Sequence, residues 1–225
     1  MRTLFVTGTD TGVGKTRFCS LLVKALRSRG VNAVGMKPFC CGEREDAELL
    51  HAACAQTVDI ALINPVWLRV PAAPYAACLV ENRLLDLDAA RAAFAALSSA
   101  HDLVVVEGVG GWRVPLRADF CTSDFAAELG APVLVVSANK LGTLNHTQLT
   151  VDAIRNRSLP CLGVVLNQLH AVEGCPAAVT NAAVLEHILD VPLLGELPLN
   201  ASELPPPLTD RMHALLGSAP PAVPC

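Results

Sequence analysis

A strand, a glycine-rich turn and a helix follow one another at the start of this chain, and that run limits its folds more than anything else in the sequence. Residues 2–6 form a short apolar run of strand character. It passes into Gly8-Thr9-Asp10-Thr11-Gly12-Val13-Gly14-Lys15-Thr16. Residues 16–29 then have helical spacing, with Phe18, Leu21, Leu22, Ala25 and Leu26 on one stripe and Gly30 as the stop. The glycines let the backbone turn its N–H groups toward an anion. The helix N-terminus adds positive potential, Lys15 adds a full charge, and Thr16 offers a hydroxyl suited to Mg²⁺. A glycine-rich turn can be merely tight, but Gly-Lys-Thr in this position is specific for a phosphate-binding loop. Five residues separate Gly8 from Gly14 where the common loop has four. The longer form belongs to a subset of ATP-using enzymes rather than to the common GTPases.

Such a loop needs a parallel sheet behind it. Further β-branched apolar runs occupy 31–36, 103–106, 132–136, 161–166 and, more weakly, 192–197. Helical spacing lies between them at 46–55, 86–97, 122–129, 143–157 and 177–189, several of these opening on Thr or Asp suited to a cap. The alternation predicts an α/β fold: an open parallel β-sheet with helices on both faces, like that of P-loop nucleoside triphosphate hydrolases. Residues 57–75 are interrupted by proline and read as a loop or short edge strand, and the chain is Pro-rich from Pro205. One domain over 1–218 is expected, with 219–225 as a disordered tail. Hydrophobic residues at 52% against 17% charged exclude a disordered chain, and 4% aromatics require an aliphatic core.

A formal charge of -4 supplies no basic face for nucleic acid. No apolar run reaches the ~20 residues of a membrane span, and the start breaks into Gly and Asp too soon for a signal peptide. The 9 cysteines show no C-x-x-C spacing and sit among Ala, Leu and Val. They read as small buried hydrophobes in a reducing compartment, hence the cytoplasm, with neither nucleic acid nor membrane as partner.

Ligands of an open parallel sheet sit beyond the carboxyl ends of its strands. Glu107 ends the run at 103–106 and would face the phosphate loop, where acids act as metal ligands or position water. Glu43, Glu45 and Asp46 cluster after the run at 31–36; each could also be a solvated helix start. Lys37 stands at the tip of that run. A lysine there is costly unless paired with negative charge, which favours a role on a substrate phosphate or carboxylate.

Together these residues resemble the dethiobiotin synthetase family over nearly the whole chain. The resemblance rests on 8–16, on Gly35-Met36-Lys37-Pro38, and on Val106-Glu107-Gly108-Val109-Gly110-Gly111-Trp112 with Pro115-Leu116. It rests also on Asn139-Lys140-Leu141-Gly142-Thr143-Leu144-Asn145-His146, Asn167, and Pro192-Leu193-Leu194-Gly195-Glu196-Leu197-Pro198. It implies an ATP- and Mg²⁺-dependent cyclo-ligase of biotin biosynthesis. Diaminopelargonic acid (7,8-diaminononanoate) takes up carbon dioxide on one amine as a carbamate. ATP phosphorylates the carbamate, and the second amine closes a cyclic urea, releasing ADP and phosphate.

The same resemblance implies residue roles. Lys15 and Lys37 hold the phosphoryl and carbamate oxygens. Thr16, Asp46 and Glu107 ligate Mg²⁺, with Glu45 as the fallback for Asp46. Gly12, Val13, Gly14, Arg17, Gly108, Val109 and Gly110 line the nucleotide, Asn167 with Gln168 reads the adenine edge, and Pro198, Leu199 and Asn200 close over the base. Thr11, Lys37 and Cys41 contact the diamine. Gly142, Thr143, Leu144 and Asn145 open a helix whose free N–H groups suit the substrate's distant carboxylate, donated by the partner of a homodimer. Cys41 stands where the family usually has Ser, a better hydrogen-bond donor.

Three rivals share parts of the pattern. An amidase-type ligase of the same fold needs a glutaminase domain, for which no chain remains. A partition-type ATPase carries a lysine where this loop has Asp10. A GTPase is suggested by Asn139-Lys140, but Gly142 replaces the acid that reads guanine. His146 reads as a helix-face or packing residue rather than a catalytic base, and Trp112 as substrate-floor packing rather than a platform for nucleic acid.

Overall fold

All six apolar runs become strands of one parallel sheet in the computed structural model, which describes residues 2–171 and 175–217. In chain order the elements are β1 (Arg2–Gly8), α1 (Lys15–Ser28), β2 (Ala33–Met36), β3 (Phe39–Cys41), α2 (Glu45–Ala53), α3 (Ile60–Ile63), β4 (Val66–Leu68), α4 (Pro74–Val80) and α5 (Leu87–Ala100). There follow β5 (Leu103–Gly111), β6 (Pro115–Arg117), β7 (Phe120–Cys121), α6 (Thr122–Glu128), β8 (Val133–Ala138), α7 (Thr143–Arg155), β9 (Cys161–Asn167), α8 (Pro176–Ile188), β10 (Leu193–Leu197) and α9 (Pro206–Gly217).

The strand order is β10-β9-β8-β1-β5-β2, with every neighbouring pair parallel. The chain leaves β1 toward β2 at one edge, returns to β5, then crosses β1 to build β8, β9 and β10 on the other side. That reversal opens a crevice above the carboxyl end of β1, where the glycine loop sits. Leu4, Phe5, Val6, Val104, Val105, Val106, Val133, Leu134, Val135 and Val136 are buried, as strands covered on both faces require. The helical stripe of α1 buries Phe18, Leu22 and Leu26 against them.

Several expectations need correction. The segment 57–75 is neither plain loop nor edge strand of the main sheet. It contains α3, capped by Asp59 accepting from the Ala61 N–H, and β4, which pairs with β3 in a separate two-stranded sheet. The Pro-rich end holds a helix, α9. Prolines are tolerated in a first helical turn, whose N–H groups need no intrahelical acceptor, and Leu208, Met212 and Leu216 give it a buried stripe. Strand β5 runs on past Glu107 to Gly111. Asp86 caps α5 through the Ala89 N–H, as expected of an Asp cap, but glycines stand at the caps of α1 and α7. The expected disordered tail at 219–225 lies outside the described residues.

Candidate active site

Four elements meet above β1, and each supplies one charged or hydroxyl side chain. Thr16 comes from the first turn of α1, Lys37 follows β2, Asp46 lies in the first turn of α2, and Glu107 projects from β5. Lys37 Nζ donates to Glu107 Oε1 at 2.5 Å and to Asp46 Oδ2 at 2.7 Å. The Lys37 side chain is 3% exposed, Glu107 0% and Asp46 42%, so the pair with Glu107 is fully desolvated. Burial alone would pull the Lys37 ammonium down; the charge of Glu107, then that of Asp46, overrides it and raises the group above its ordinary range. Burial likewise pushes the Asp46 carboxyl up, and Lys37 more than reverses this, leaving it lowered. Lys37 is therefore a fixed cation.

Thr16 Oγ1 lies 2.7 Å from both Asp46 Oδ1 and Glu107 Oε1. A hydroxyl has one proton and can donate to only one of them. Glu107 Oε2 is buried with no partner among the described residues. Three hard oxygen donors with an unsatisfied carboxylate oxygen fit Mg²⁺, which takes one or two carboxylates and completes its shell with phosphate oxygens and water. No group of three or more His, Cys, Asp or Glu side chains able to hold a metal occurs among the described residues, so the protein alone builds no closed cage. Glu45 and Glu43 are exposed on the outside of this group; the geometry joins Asp46 to Thr16 and Lys37 instead.

Lys15 is buried beside this group, its Nζ donating to the Asp10 carbonyl at 3.1 Å. Burial, then repulsion from Lys37, lowers it to about 8. The loop itself depends on Gly14, which caps α1 at φ 89°; a Cβ there would stand 2.0 Å from Asn167 Nδ2. Thr11 and Gly12 are exposed at the tip. A Cβ on Gly110 would lie 3.3 Å from Thr11 Oγ1, so the loop faces the glycine segment Gly108-Val109-Gly110.

On the other side of the loop, Asn167 Nδ2 donates to the Val13 carbonyl at 2.8 Å. Arg17 donates to Asn167 Oδ1 at 3.2 Å and to the carbonyls of Pro198 at 2.6 Å and Ala201 at 3.2 Å. Gln168 Nε2 reaches Glu196 at 2.8 Å, while its Oε1 is buried without a partner among the described residues. Leu199 and Asn200 are exposed at the turn. Thus Asn167, Arg17 and Pro198 are brought together, away from the acid–lysine group.

The segment Gly142–Asn145, by contrast, makes no hydrogen bond to either group among the described residues. Gly142 has φ 93°, and Thr143 turns inward to Ser137 at 2.6 Å, which in turn lies 3.4 Å from Thr9. The N–H groups of Leu144 and Asn145 precede the first intrahelical donor, the His146 N–H on the Gly142 carbonyl at 3.1 Å, so an anion there would be held by backbone. Cys41 ends β3, half-buried; burial and its neighbour Cys40 push its thiol up to about 12, which excludes a thiolate nucleophile at neutral pH. Asn139 gives the Asn-Lys pair no base-reading edge: its amide donates to the Ala178 carbonyl at 2.8 Å and accepts from Asn181 at 2.8 Å. Trp112 is buried edge-on to Phe5, as packing predicts.

Sequence reasoning missed Asn64. It is buried, donates to the Lys37 carbonyl at 2.9 Å and to Val66 at 3.1 Å, and is held by Arg44 Nε at 3.0 Å. With the Lys37 N–H on the Ile63 carbonyl at 2.8 Å, it fixes the backbone that carries the lysine. The Asn64-Pro65 turn was the available signal.

The profile of a family described as an AAA domain matches residues 2–206. The ATP-dependent dethiobiotin synthetase BioD of Akkermansia muciniphila is 49% identical over 197 residues, covering 88% of this chain and 92% of that protein. The chain belongs to the dethiobiotin synthetase family. The BioD of Anaeromyxobacter dehalogenans strain 2CP-C is 46% identical over 202 residues, 88% of this chain and 90% of its own. Among solved structures, the MinD cell division protein of Aquifex aeolicus superposes with a TM-score of 0.58 at 15% identity, covering 98% and 99% of the two chains. A ParA family ATPase from Chlorobium tepidum gives 0.54 at 10%, covering 97% and 94%. These likenesses carry the P-loop fold of this dethiobiotin synthetase relative and nothing of its chemistry.

Proposed function

We propose that this chain, an ATP-dependent ligase of its family, closes the ureido ring of dethiobiotin from 7,8-diaminononanoate, carbon dioxide and ATP. One amine adds to carbon dioxide as a carbamate, and the γ-phosphoryl passes to a carbamate oxygen with loss of ADP. The second amine then attacks the carbamoyl carbon and phosphate leaves. The observation that carries the reading is the Lys37–Glu107–Asp46–Thr16 group beside the phosphate loop, with its Lys37–Glu107 pair buried.

Phosphoryl transfer asks for positioning and charge neutralisation rather than a protein nucleophile. Lys37, held cationic, neutralises the carbamate and the charge developing on the transferred phosphoryl. Lys15 and the loop N–H groups take the β- and γ-phosphates. Thr16, Asp46 and Glu107 would hold Mg²⁺, which supplies charge stabilisation to the phosphates. Asn167, Gln168 and the turn at 198–200 receive the base. Thr11 and the backbone at Cys41 lie on the diamine side.

The far carboxylate of the diamine is taken by 142–145 of a second copy across a two-fold interface. The exposed Leu141 (83%) and Leu149 (60%), at the start of and along α7, support a partner there. The described cysteines are all free and no described helix is long and apolar enough to cross a membrane, which supports a cytoplasmic enzyme. Incubating the protein with ATP, Mg²⁺, bicarbonate and diamine should yield dethiobiotin by mass. Phosphate release that ignores the diamine would sink the reading and favour a nucleotide switch.

A further inference from the structure

We propose that Arg17 is a positioning residue that builds the nucleobase pocket and sets its discrimination between bases. This rests on the reading above, in which the base lies between Asn167 and the turn at 198–200. Arg17 follows Thr16 on α1, so the residue that shapes the base site is bonded directly to one that would hold Mg²⁺ beside the phosphates. Its guanidinium ties together three acceptors far apart in sequence: Asn167 Oδ1 at 3.2 Å, the Pro198 carbonyl at 2.6 Å and the Ala201 carbonyl at 3.2 Å.

The consequence for Asn167 is orientational. A guanidinium only donates and a carbonyl only accepts. With Arg17 on one side and the Val13 carbonyl at 2.8 Å on the other, the Asn167 amide has a single satisfied orientation. A flipped amide would face its NH₂ to the guanidinium and its oxygen to the Val13 carbonyl. The donor and acceptor pattern beside the base is therefore held from both sides, by the Val13 carbonyl on the amide nitrogen and by Arg17 on the amide oxygen.

The consequence for the turn is conformational. Asn200 sits at φ 56°, and the Ala201 N–H returns to the Pro198 carbonyl at 3.3 Å, so both carbonyls of this tight turn converge on one guanidinium. Leu199, 41% exposed, is carried at the tip as the apolar group available to cover a base. Without the guanidinium these carbonyls lose the donor they share, and the turn loses its tie to α1. The phosphate loop keeps its own glycines, Lys15 and the Asn167–Val13 bond.

The test measures binding of ATP, GTP, CTP and inorganic tripolyphosphate to wild type, Arg17→Ala and Arg17→Lys, alongside steady-state kinetics and thermal melting. Arg17→Ala should weaken ATP about tenfold or more, the effect of removing hydrogen bonds to a charged group. Tripolyphosphate, which has no base, should change by less than about twofold. The preference for one base over the others should fall toward unity, and the kinetic loss should lie in KM for ATP rather than in kcat or KM for the diamine. Arg17→Lys keeps the charge and stem but lacks the planar fork, and should fall between the two. If Arg17→Ala does not fold, Arg17→Lys alone decides on the same ratio of ATP to tripolyphosphate. Equal losses for ATP and tripolyphosphate, an unchanged base preference, or a wild type without base preference would each overturn the proposal. A wild type that discriminates bases but makes no dethiobiotin would instead sink the catalytic reading and leave this one standing.

Discussion

Replacing Lys37 by Met removes the ammonium that touches both Asp46 and Glu107 while keeping most of the stem's volume. Its Nζ lies 2.5 Å from Glu107 Oε1 and 2.7 Å from Asp46 Oδ2. Asp46 is 42% exposed and can recover water, whereas Glu107 is 0% exposed and its Oε2 has no partner among the described residues. The loss therefore falls on Glu107. Breaking a buried pair from one side costs about 3–5 kcal/mol, because the remaining charge is stranded. The sign follows from Lys37. Its raised folded value means the stabilisation is fully present below the ordinary lysine value and is lost only as pH rises through the folded one, so at pH 7 the wild type holds all of it. Adding Glu107→Gln to Lys37→Met removes the stranded charge, and the double variant should be more stable than Lys37→Met by about 2 kcal/mol or more. Urea unfolding of the four proteins of the cycle, followed by Trp fluorescence, measures this. A coupling below about 0.5 kcal/mol would refute the claim that the two charges compensate one another in a dry site.

In turnover, Lys37→Ala should lower kcat by about 10²–10³ while ADP affinity changes far less, since the lysine is held by Glu107 and Asp46 and makes no hydrogen bond to the loop that grips the phosphates among the described residues; a wild-type rate would remove the assigned role. Lys15, lowered to about 8, should gain a proton when phosphates bind above that pH. Near neutral pH it is already charged, so its contribution to ADP affinity should be constant there and fall as pH rises above about 8. Calorimetry above pH 8 in buffers of different ionisation enthalpy should report net proton uptake on binding, and buffer-independent heats would contradict it. Cys41→Ser should keep activity within a few-fold or raise it; a loss of about tenfold or more would mean the thiol packs in a way a hydroxyl cannot. Mixing Lys15→Ala with Thr143→Pro chains, under demonstrated subunit exchange, should restore about a quarter of wild-type activity if sites are shared, and none if each chain holds a whole site.

Local chemistry made the frame legible before any coordinates. Buried parallel strands are continuous apolar runs, so 2–6, 31–36, 103–106, 132–136, 161–166 and 192–197 declared themselves, and Gly-Lys-Thr at a strand–helix junction has few other uses. Lys37 and Glu107 could be named because a charge at the end of a buried run is costly without a partner. Their partner, Asp46, could be named only through the resemblance, with Glu45 as the fallback. Glu45 and Asp46 are adjacent, and one residue turns a helix by about 100°, so the choice depends on where α2 begins and how it packs on α1. Tertiary packing turned Asp46 to Thr16 and Lys37 and left Glu45 exposed. Helix α9 was hidden for a different reason: its prolines read as breakers, and only docking of Leu208, Met212 and Leu216 on the core makes them a first turn. Arg17 was visible as a residue of the loop region but not as a tie. Its acceptors lie 150, 181 and 184 positions away, and nothing local marks a carbonyl as the end of a hydrogen bond. Sequence sets which strands are buried and where an anion can sit; the crossing of the chain over β1 decides which side chains share that crevice, because only the fold sets distances between residues far apart in sequence.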